Sequence, residues 1–384
     1  MKQAQPALPP VFIIGAERSG TTLLRLMLNA HPDLAIPPES LFVDELYRTF
    51  SGKDLTRQDI PVIVDAMFAD LKFPDWGLDR AEVTEALGQL STLDLSSVAA
   101  VPYRLYAKRN KAKFWGDKNP YYSLRTDMLR ELFPDALFVH LKRDGRDNVI
   151  SLLEVNWDFG PKSVADATIR WRDYIVAAHN AAQEHPDSFI ELSYEDLVSQ
   201  PEAEIKRICK FLGLGFDPAM LEFHKENEGG KLIPDSQKRF QESTFKPVNT
   251  SRLGRGLSKM SASDVFTFQA LSVDTLLANG YEFLDPVTRK PADAAANYAQ
   301  YRTAGLVLEM ESELKRQLAD MLDERTEQMR QEKEIAVKRQ NEFITKELER
   351  MHNLMKDYVA ERTSFKHKID YALSRLIPWR RKRR

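Results

Sequence analysis

The chain holds 384 residues, 55 of them Lys or Arg against 57 Asp or Glu, with 43% hydrophobic residues and one cysteine. This composition excludes wholesale disorder and collagen-like repeats, and a net charge of -2 excludes a globally basic nucleic-acid binder. The length predicts two or three units, or one large α/β domain with an appendage; the lone Cys209, without a CxxC pair or Cys/His cluster, leaves no disulfide and no zinc site and points to a reducing, cytoplasmic setting.

Residues 1–10 are polar and proline-rich and are expected to be disordered, and the apolar run Val11–Ile14 is far too short for a signal-peptide core. No window approaches the roughly 18 consecutive apolar residues of a spanning helix. From 11 to 285, short apolar runs alternate with amphipathic ones, as in an α/β protein with a parallel sheet flanked by helices. Val11–Ile14, Leu34–Ile36, Phe114–Trp115, Leu137–Leu141 and Phe189–Leu192 have the length of buried parallel strands. Helices are expected at Thr21–Asn29, Leu124–Leu132, Asp147–Glu154, Val164–Glu184 and Pro201–Phe211, the last closed by Gly213 as a left-handed cap. Residues 41–102 have a helical pattern with little strand character and predict a cap over one end of the sheet.

Residues 286–300, rich in alanine and carrying two prolines, read as a linker. From 301 to 365 the chain has no proline and dense Glu, Lys and Arg, which predicts a long helix. Leu314, Leu318, Met321, Ile335, Phe343, Leu354 and Tyr358 form an imperfect coiled-coil seam along it, and with it a homodimer contact. Residues 366–384 place Ile369, Leu373, Leu376 and Trp379 near one helical face and end in five basic residues. That pattern suits peripheral contact with an anionic membrane surface, such as the inner face of the membrane, or a docking helix with a basic end.

The most informative stretch is Gly15-Ala16-Glu17-Arg18-Ser19-Gly20-Thr21-Thr22, which follows an apolar strand and opens a helix. Backbone N–H groups and a helix N-terminus converging on one point form a cradle for a phosphate-like anion. The spacing of Gly15 and Gly20 is that of the nucleotide triphosphatase loop, but Thr21 stands where that loop has its lysine. A second cluster, Arg143-Asp144-Gly145-Arg146 with Ser151, puts a forked cation at a strand end and a hydroxyl on the following helix. Two anion sites imply a ligand with two separated anionic ends.

These motifs identify a resemblance. From about Val11 to Leu284 the sequence resembles the sulfotransferases that use 3′-phosphoadenosine 5′-phosphosulfate, and among them the tyrosylprotein-sulfotransferase-like and bacterial branch. The residues that carry it are Arg18-Ser19-Gly20-Thr21-Thr22, His31-Pro32-Asp33, Glu39 and Asp117-Lys118-Asn119-Pro120. Further along come Arg143-Asp144-Gly145-Arg146 with Ser151, Tyr194-Glu195-Asp196-Leu197 and Lys246-Pro247-Val248-Asn249.

The resemblance implies that Glu39 is the general base and that Lys118 and Arg18 stabilise the leaving phosphate. It places the 5′-phosphosulfate on Arg18, Ser19, Gly20, Thr21 and Thr22, and the 3′-phosphate on Arg143 and Ser151. Tyr194 is implied near the nucleotide, Lys246 in a lid over it, and no metal is required. Read from the residues alone, Glu39 also suits a cap for a helix near Ser40, Lys118 a partner for Asp117, and Tyr194 the core.

Two departures bear on specificity. Gly254-Arg255-Gly256 occupies a region where related enzymes often carry a tryptophan, and Leu41 stands where the tyrosylprotein branch has an arginine. The acceptor is therefore expected to be a hydroxyl of a carbohydrate, glycolipid or small metabolite, held by the cap and the Asn156–Lys162 loop. Two other readings stand beside this one. The first is a P-loop small-molecule kinase or phosphotransferase, for which Gly15–Thr22 alone would suffice, and the second is a non-catalytic coiled-coil scaffold.

Overall fold

In the computed structural model, β1 (Val11–Ile14), β2 (Leu34–Ala35), β3 (Phe114–Lys118), β4 (Leu137–Lys142) and β5 (Phe189–Ser193) pair in parallel in the order β2-β3-β1-β4-β5. The structure describes residues 9–155, 160–235, 238 and 241–318, with isolated positions between 321 and 350. β1 is buried on both faces, as a central parallel strand must be. Its side chains divide by parity: Phe12 and Ile14 enter one core, and Val11 and Ile13 the other.

The first core includes α2 (Phe42–Phe50), α3 (Ile60–Ala69), α4 (Arg80–Gly88) and α5 (Leu95–Arg109). These are the helices expected as a cap over one end of the sheet. They share a continuous core with its face, where Tyr103 stacks on Trp115 at 4.4 Å between ring centroids. α5 carries Pro102 in its interior and runs on to Arg109, so the proline does not end it. The opposite core packs α1 (Thr21–Asn29) and the helix Pro201–Leu212 against the sheet, and Gly213 closes the latter with φ 72°.

Most element boundaries lie within a residue of expectation, and three differ by two or more. β3 extends to Lys118 because its pairing with β1 continues through Gly116, Asp117 and Lys118. The helix expected from Leu124 begins at Thr126, since Asn119 caps a separate 3-10 turn over Pro120–Leu124. The helix after β4 starts at Gly145 and is called α6 here (Gly145–Val155). The linker expected over 286–300 is a tight reversal, with Leu284 bridged to Pro291, followed by helix from residue 294. Tyr301 on that helix is buried against Phe266 and Phe283, and a Cβ at Gly305 would lie 2.2 Å from the Ala270 carbonyl oxygen.

The chain divides after Ser312 into two compact units. In the second, the described positions are helical, and Leu314, Leu318 and Met321 are exposed. Ile335, Phe343, Leu354, Tyr358 and the tail 366–384 lie outside the described residues, as do residues 1–8 and 156–159. No helix among the described residues is long and apolar enough to cross a membrane.

The parallel register brings Ile13 beside Lys118 and Ile14 beside His140. The carboxyl ends of β1, β3 and β4 therefore open on one edge, where open α/β sheets collect their ligands.

Candidate active site

The loop from β1 to α1 is shaped by three residues with positive φ. Gly15 (149°) meets the backbone of β4, where a Cβ would fall 2.3 Å from the Leu141 oxygen. Gly20 (99°) lies against the Tyr194 ring, and Arg18 takes the left-handed region at 65°, uncommon for a residue with a side chain. Asn148 Nδ2 donates to the Glu17 carbonyl at 2.7 Å, and Arg143 Nη1 to the Arg18 carbonyl at 3.1 Å. With those oxygens engaged by side chains, α1 begins at Gly20 with no side-chain cap and no acidic residue in its first turn. Its first N–H groups and the helix dipole make an anion cradle. Thr21 and Thr22 open the helix and are buried there, as is Ser19.

Glu39 follows β2 across Pro37 and Pro38, and its segment is held at every step. Asn29 Oδ1 accepts from the Ile36 N–H at 2.8 Å, and the buried Arg25 donates to the Ile36 carbonyl at 3.0 Å. Trp76 Nε1 donates to the Pro38 carbonyl at 2.9 Å, and Asn119 Nδ2 to the Ser40 carbonyl at 3.0 Å. The next helix has Leu41 at its N-cap, and Asp70 accepts the Leu41 N–H, so Glu39 does not act as the helix cap.

The Glu39 carboxylate is instead ion-paired through Oε1 to Lys118 Nζ, which also donates to Thr22 Oγ1 at 3.2 Å. Burial pushes the Glu39 carboxyl up, but the charges and hydrogen bonds of Lys118 and Lys72 outweigh it and hold it at about 2. Burial lowers the Lys118 ammonium, against the pull of Glu39. Asp117 is not the partner of Lys118. Its side chain points to the other face of β3, where Tyr103 Oη donates to it at 2.5 Å, and burial raises it to about 7.

At the end of β4, Arg143 sits 4.4 Å over the Tyr194 ring and donates to the Arg252 carbonyl at 2.9 Å. Arg18 Nε reaches Ser151 Oγ at 3.3 Å. The segment after Arg252 is anchored by Asp147, which accepts from the N–H groups of Gly254 at 2.9 Å and Gly256 at 2.6 Å. A Cβ at Gly256 would lie 2.2 Å from the Arg146 backbone, so this close approach needs glycine. A cleft of about 410 Å³ opens here, its lining including Arg18, Ser151, Glu154, Arg252 and Arg255. Burial lowers the Arg18 guanidinium, and the charges of Arg252 and Arg143 lower it further. Arg143 Nε is buried without a hydrogen-bond partner among the described residues. Like charges this close, with an orphan donor, fit a dianion such as a phosphate.

The family model described as the sulfotransferase family matches residues 9–218, more than half of the chain and the whole of this sheet edge. The chain belongs to the sulfotransferase family. It is similar to protein-tyrosine sulfotransferase 1 of Danio rerio, at 28% identity over 72% of this chain and 73% of the relative. Similarity to protein-tyrosine sulfotransferase 2 of Gallus gallus is 27% over 74% and 71% of the two chains. In fold it is similar to the sulfotransferase domain of the Synechococcus PCC 7002 olefin synthase, with a TM-score of 0.52 over 73% of this chain and 98% of that one, at 21% identity. It is a sulfotransferase enzyme, which displaces the kinase and scaffold readings.

Around the sheet edge of this sulfotransferase, the structure joins Arg18, Ser19, Gly20, Thr22, Arg143, Ser151 and Tyr194 into one hydrogen-bonded and packed cluster, and Glu39 and Lys118 reach it through Thr22. Lys246 is exposed in the loop after the turn Glu242–Phe245, and no hydrogen bond or ion pair ties it to that cluster among the described residues. Arg252, Arg255 and Lys72 were not foreseen. The signal for the first two lay in Gly254-Arg255-Gly256, whose glycines permit the approach to α6; Lys72 had none, because its cap loop carries no motif. Among the described residues no group of three or more His, Cys, Asp or Glu is placed to hold a metal ion.

Proposed function

We propose that this sulfotransferase moves the sulfuryl group of 3′-phosphoadenosine 5′-phosphosulfate onto an acceptor hydroxyl, with Glu39 as general base. The observation that carries the reading is the chain Glu39–Lys118–Thr22, which puts a carboxylate, a buried cation and an anion-loop hydroxyl in contact at one sheet edge. An ammonium has three donors, of which Glu39 and Thr22 take two, leaving the third for the bridging oxygen of the donor. Glu39 takes the acceptor proton as the acceptor oxygen bonds to sulfur. The bond from sulfur to the bridging oxygen breaks, and Lys118 with Arg18 meets the charge left on the 5′-phosphate. Arg143, Ser151 and Arg252 would hold the 3′-phosphate.

For the acceptor, the protein-tyrosine sulfotransferase relatives favour a polypeptide tyrosine over the carbohydrate or glycolipid expected from the sequence. A carboxylate held at about 2 is a weak base, and a phenol near 10 asks less of it than a sugar alcohol. The test is transfer of labelled sulfate from the donor to a tyrosine peptide, an oligosaccharide and a glycolipid. Label is expected on the peptide, and Glu39→Gln should lose on the order of 10²–10⁴ in rate while still binding adenosine 3′,5′-bisphosphate. Label entering carbohydrate alone would overturn the acceptor, and full turnover by the variant would overturn the base.

A further inference from the structure

The loop between α3 and the turn Phe73–Trp76 reaches Glu39 from the cap. Lys72 Nζ lies 3.2 Å from Glu39 Oε2, while Lys118 occupies Oε1. The two cations differ in exposure: the Lys118 side chain is 2% exposed and the Lys72 side chain 46%. Lys118 is thus sealed against the anion loop through Thr22, and Lys72 stands on the side open to solvent, from which an acceptor must come.

The loop is tied to the segment of the base by polar groups. The Asp70 carboxylate accepts from the Ser40 hydroxyl, from the Leu41 N–H at 2.5 Å and from the Lys72 N–H at 3.0 Å. Leu71 between them is 95% exposed, so no apolar packing holds the tip. Asp70 therefore anchors the loop through backbone and hydroxyl donors other than the Lys72 side chain.

We propose that Lys72 is a positioning residue for the base, holding the second oxygen of Glu39 and keeping the carboxylate charged on the acceptor side. This rests on the reading of Glu39 as the base. A bound donor brings several negative charges next to Lys118 and draws on that cation, which raises the proton affinity of Glu39. Lys72, on the other carboxylate oxygen, offsets the rise. Among the described residues, Arg18 from the loop after β1, Arg25 from α1 and Asp117 from β3 also feel the Glu39 charge, and the Asp70 carboxylate faces the same segment from the loop of Lys72.

The experiment follows the Glu39 carboxyl by carbon NMR titration in the full chain saturated with adenosine 3′,5′-bisphosphate, with the signal assigned from Glu39→Gln. Lys72→Met should raise its midpoint by about one pH unit, the size of shift a single neighbouring charge produces, and Lys72→Arg should restore it. Affinity for the bisphosphate should not change. In turnover of a tyrosine peptide, Lys72→Met should lower kcat/KM about tenfold below the acid limb and little above it, the same shift read as a rate. An unmoved midpoint overturns the proposal whatever Glu39 does in turnover. Full turnover by Glu39→Gln overturns the base reading instead.

Discussion

Arg143 donates from Nη1 to the carbonyl oxygen of Arg18 at 3.1 Å, across 125 residues of sequence. With Arg18 Nε on Ser151 Oγ and Asn148 Nδ2 on the Glu17 carbonyl, that bond ties the loop after β1 to the loop and helix after β4 and orients the left-handed turn at Arg18. The same guanidinium covers the Tyr194 ring, reaches the Arg252 carbonyl and lies 3.5 Å from Asp147 Oδ2, so one planar fork serves several partners. Arg143→Lys keeps the charge and loses the fork. Affinity for adenosine 3′,5′-bisphosphate, measured by calorimetry without magnesium, should fall roughly 10- to 100-fold, the range for lost charged hydrogen bonds. Wild-type affinity in that variant would show that the fork is not the anchor.

The two cleft arginines should not be equivalent. Arg255 is already ion-paired to Glu154 at 3.1 Å, whereas Arg252 has no ion pair among the described residues and its charge lowers the Arg18 guanidinium. Arg252→Ala should weaken bisphosphate binding by about tenfold, and Arg255→Ala by much less, as expected for a partly exposed paired charge. The same titrations decide it, and an inverted order would refute the assignment.

Gly20→Ala should be destabilising by about 1–3 kcal/mol, since it combines a φ of 99° with a Cβ 2.5 Å from the Tyr194 ring. Gly88→Ala, at the last residue of α4 with nothing within 4 Å of the new Cβ, should be stabilising by at most about 0.5–1 kcal/mol. Urea unfolding of both proteins gives the two signs.

Asp117 gives a dependence of stability on pH. Its carboxyl is raised by burial from 3.8 to about 7, so folding favours the protonated form. The stabilising contribution is complete below about pH 4 and is lost as pH rises towards 7, up to ~4 kcal/mol in all. Asp117→Asn keeps an acceptor for the Tyr103 hydroxyl and should remove that slope. Thermal melts of both proteins between pH 4 and 8 should converge at the acid end, with the variant ahead at the alkaline end.

Much of the fold was legible because its signals are local. Val11–Ile14, Leu137–Leu141 and Phe189–Leu192 read as buried strands from their length and composition, and Gly213 ended its helix by the conformation only glycine takes freely. Boundaries were less legible where tertiary pairing decides them. β3 runs on through Gly116, Asp117 and Lys118 because β1 supplies the partner, which no property of those three residues announces. Pro102 misled in the opposite sense, because packing on Trp115 and Trp76 holds α5 together around it.

By itself the sequence pointed to the sulfotransferase family and to the loops at Gly15–Thr22 and Arg143–Ser151, since each rests on a short run whose spacing is its meaning. Only the tertiary structure decided that Lys118 meets Glu39 rather than Asp117, and that Lys72 reaches Glu39 and Asp70 the Leu41 N–H from the loop after α3. The folded chain also brought Arg252 into the pocket of Arg18. These groups come from segments far apart in sequence and meet through strand register and loop packing. Their contacts are set by which backbone groups must find partners at a crowded sheet edge, and a linear pattern carries no record of that.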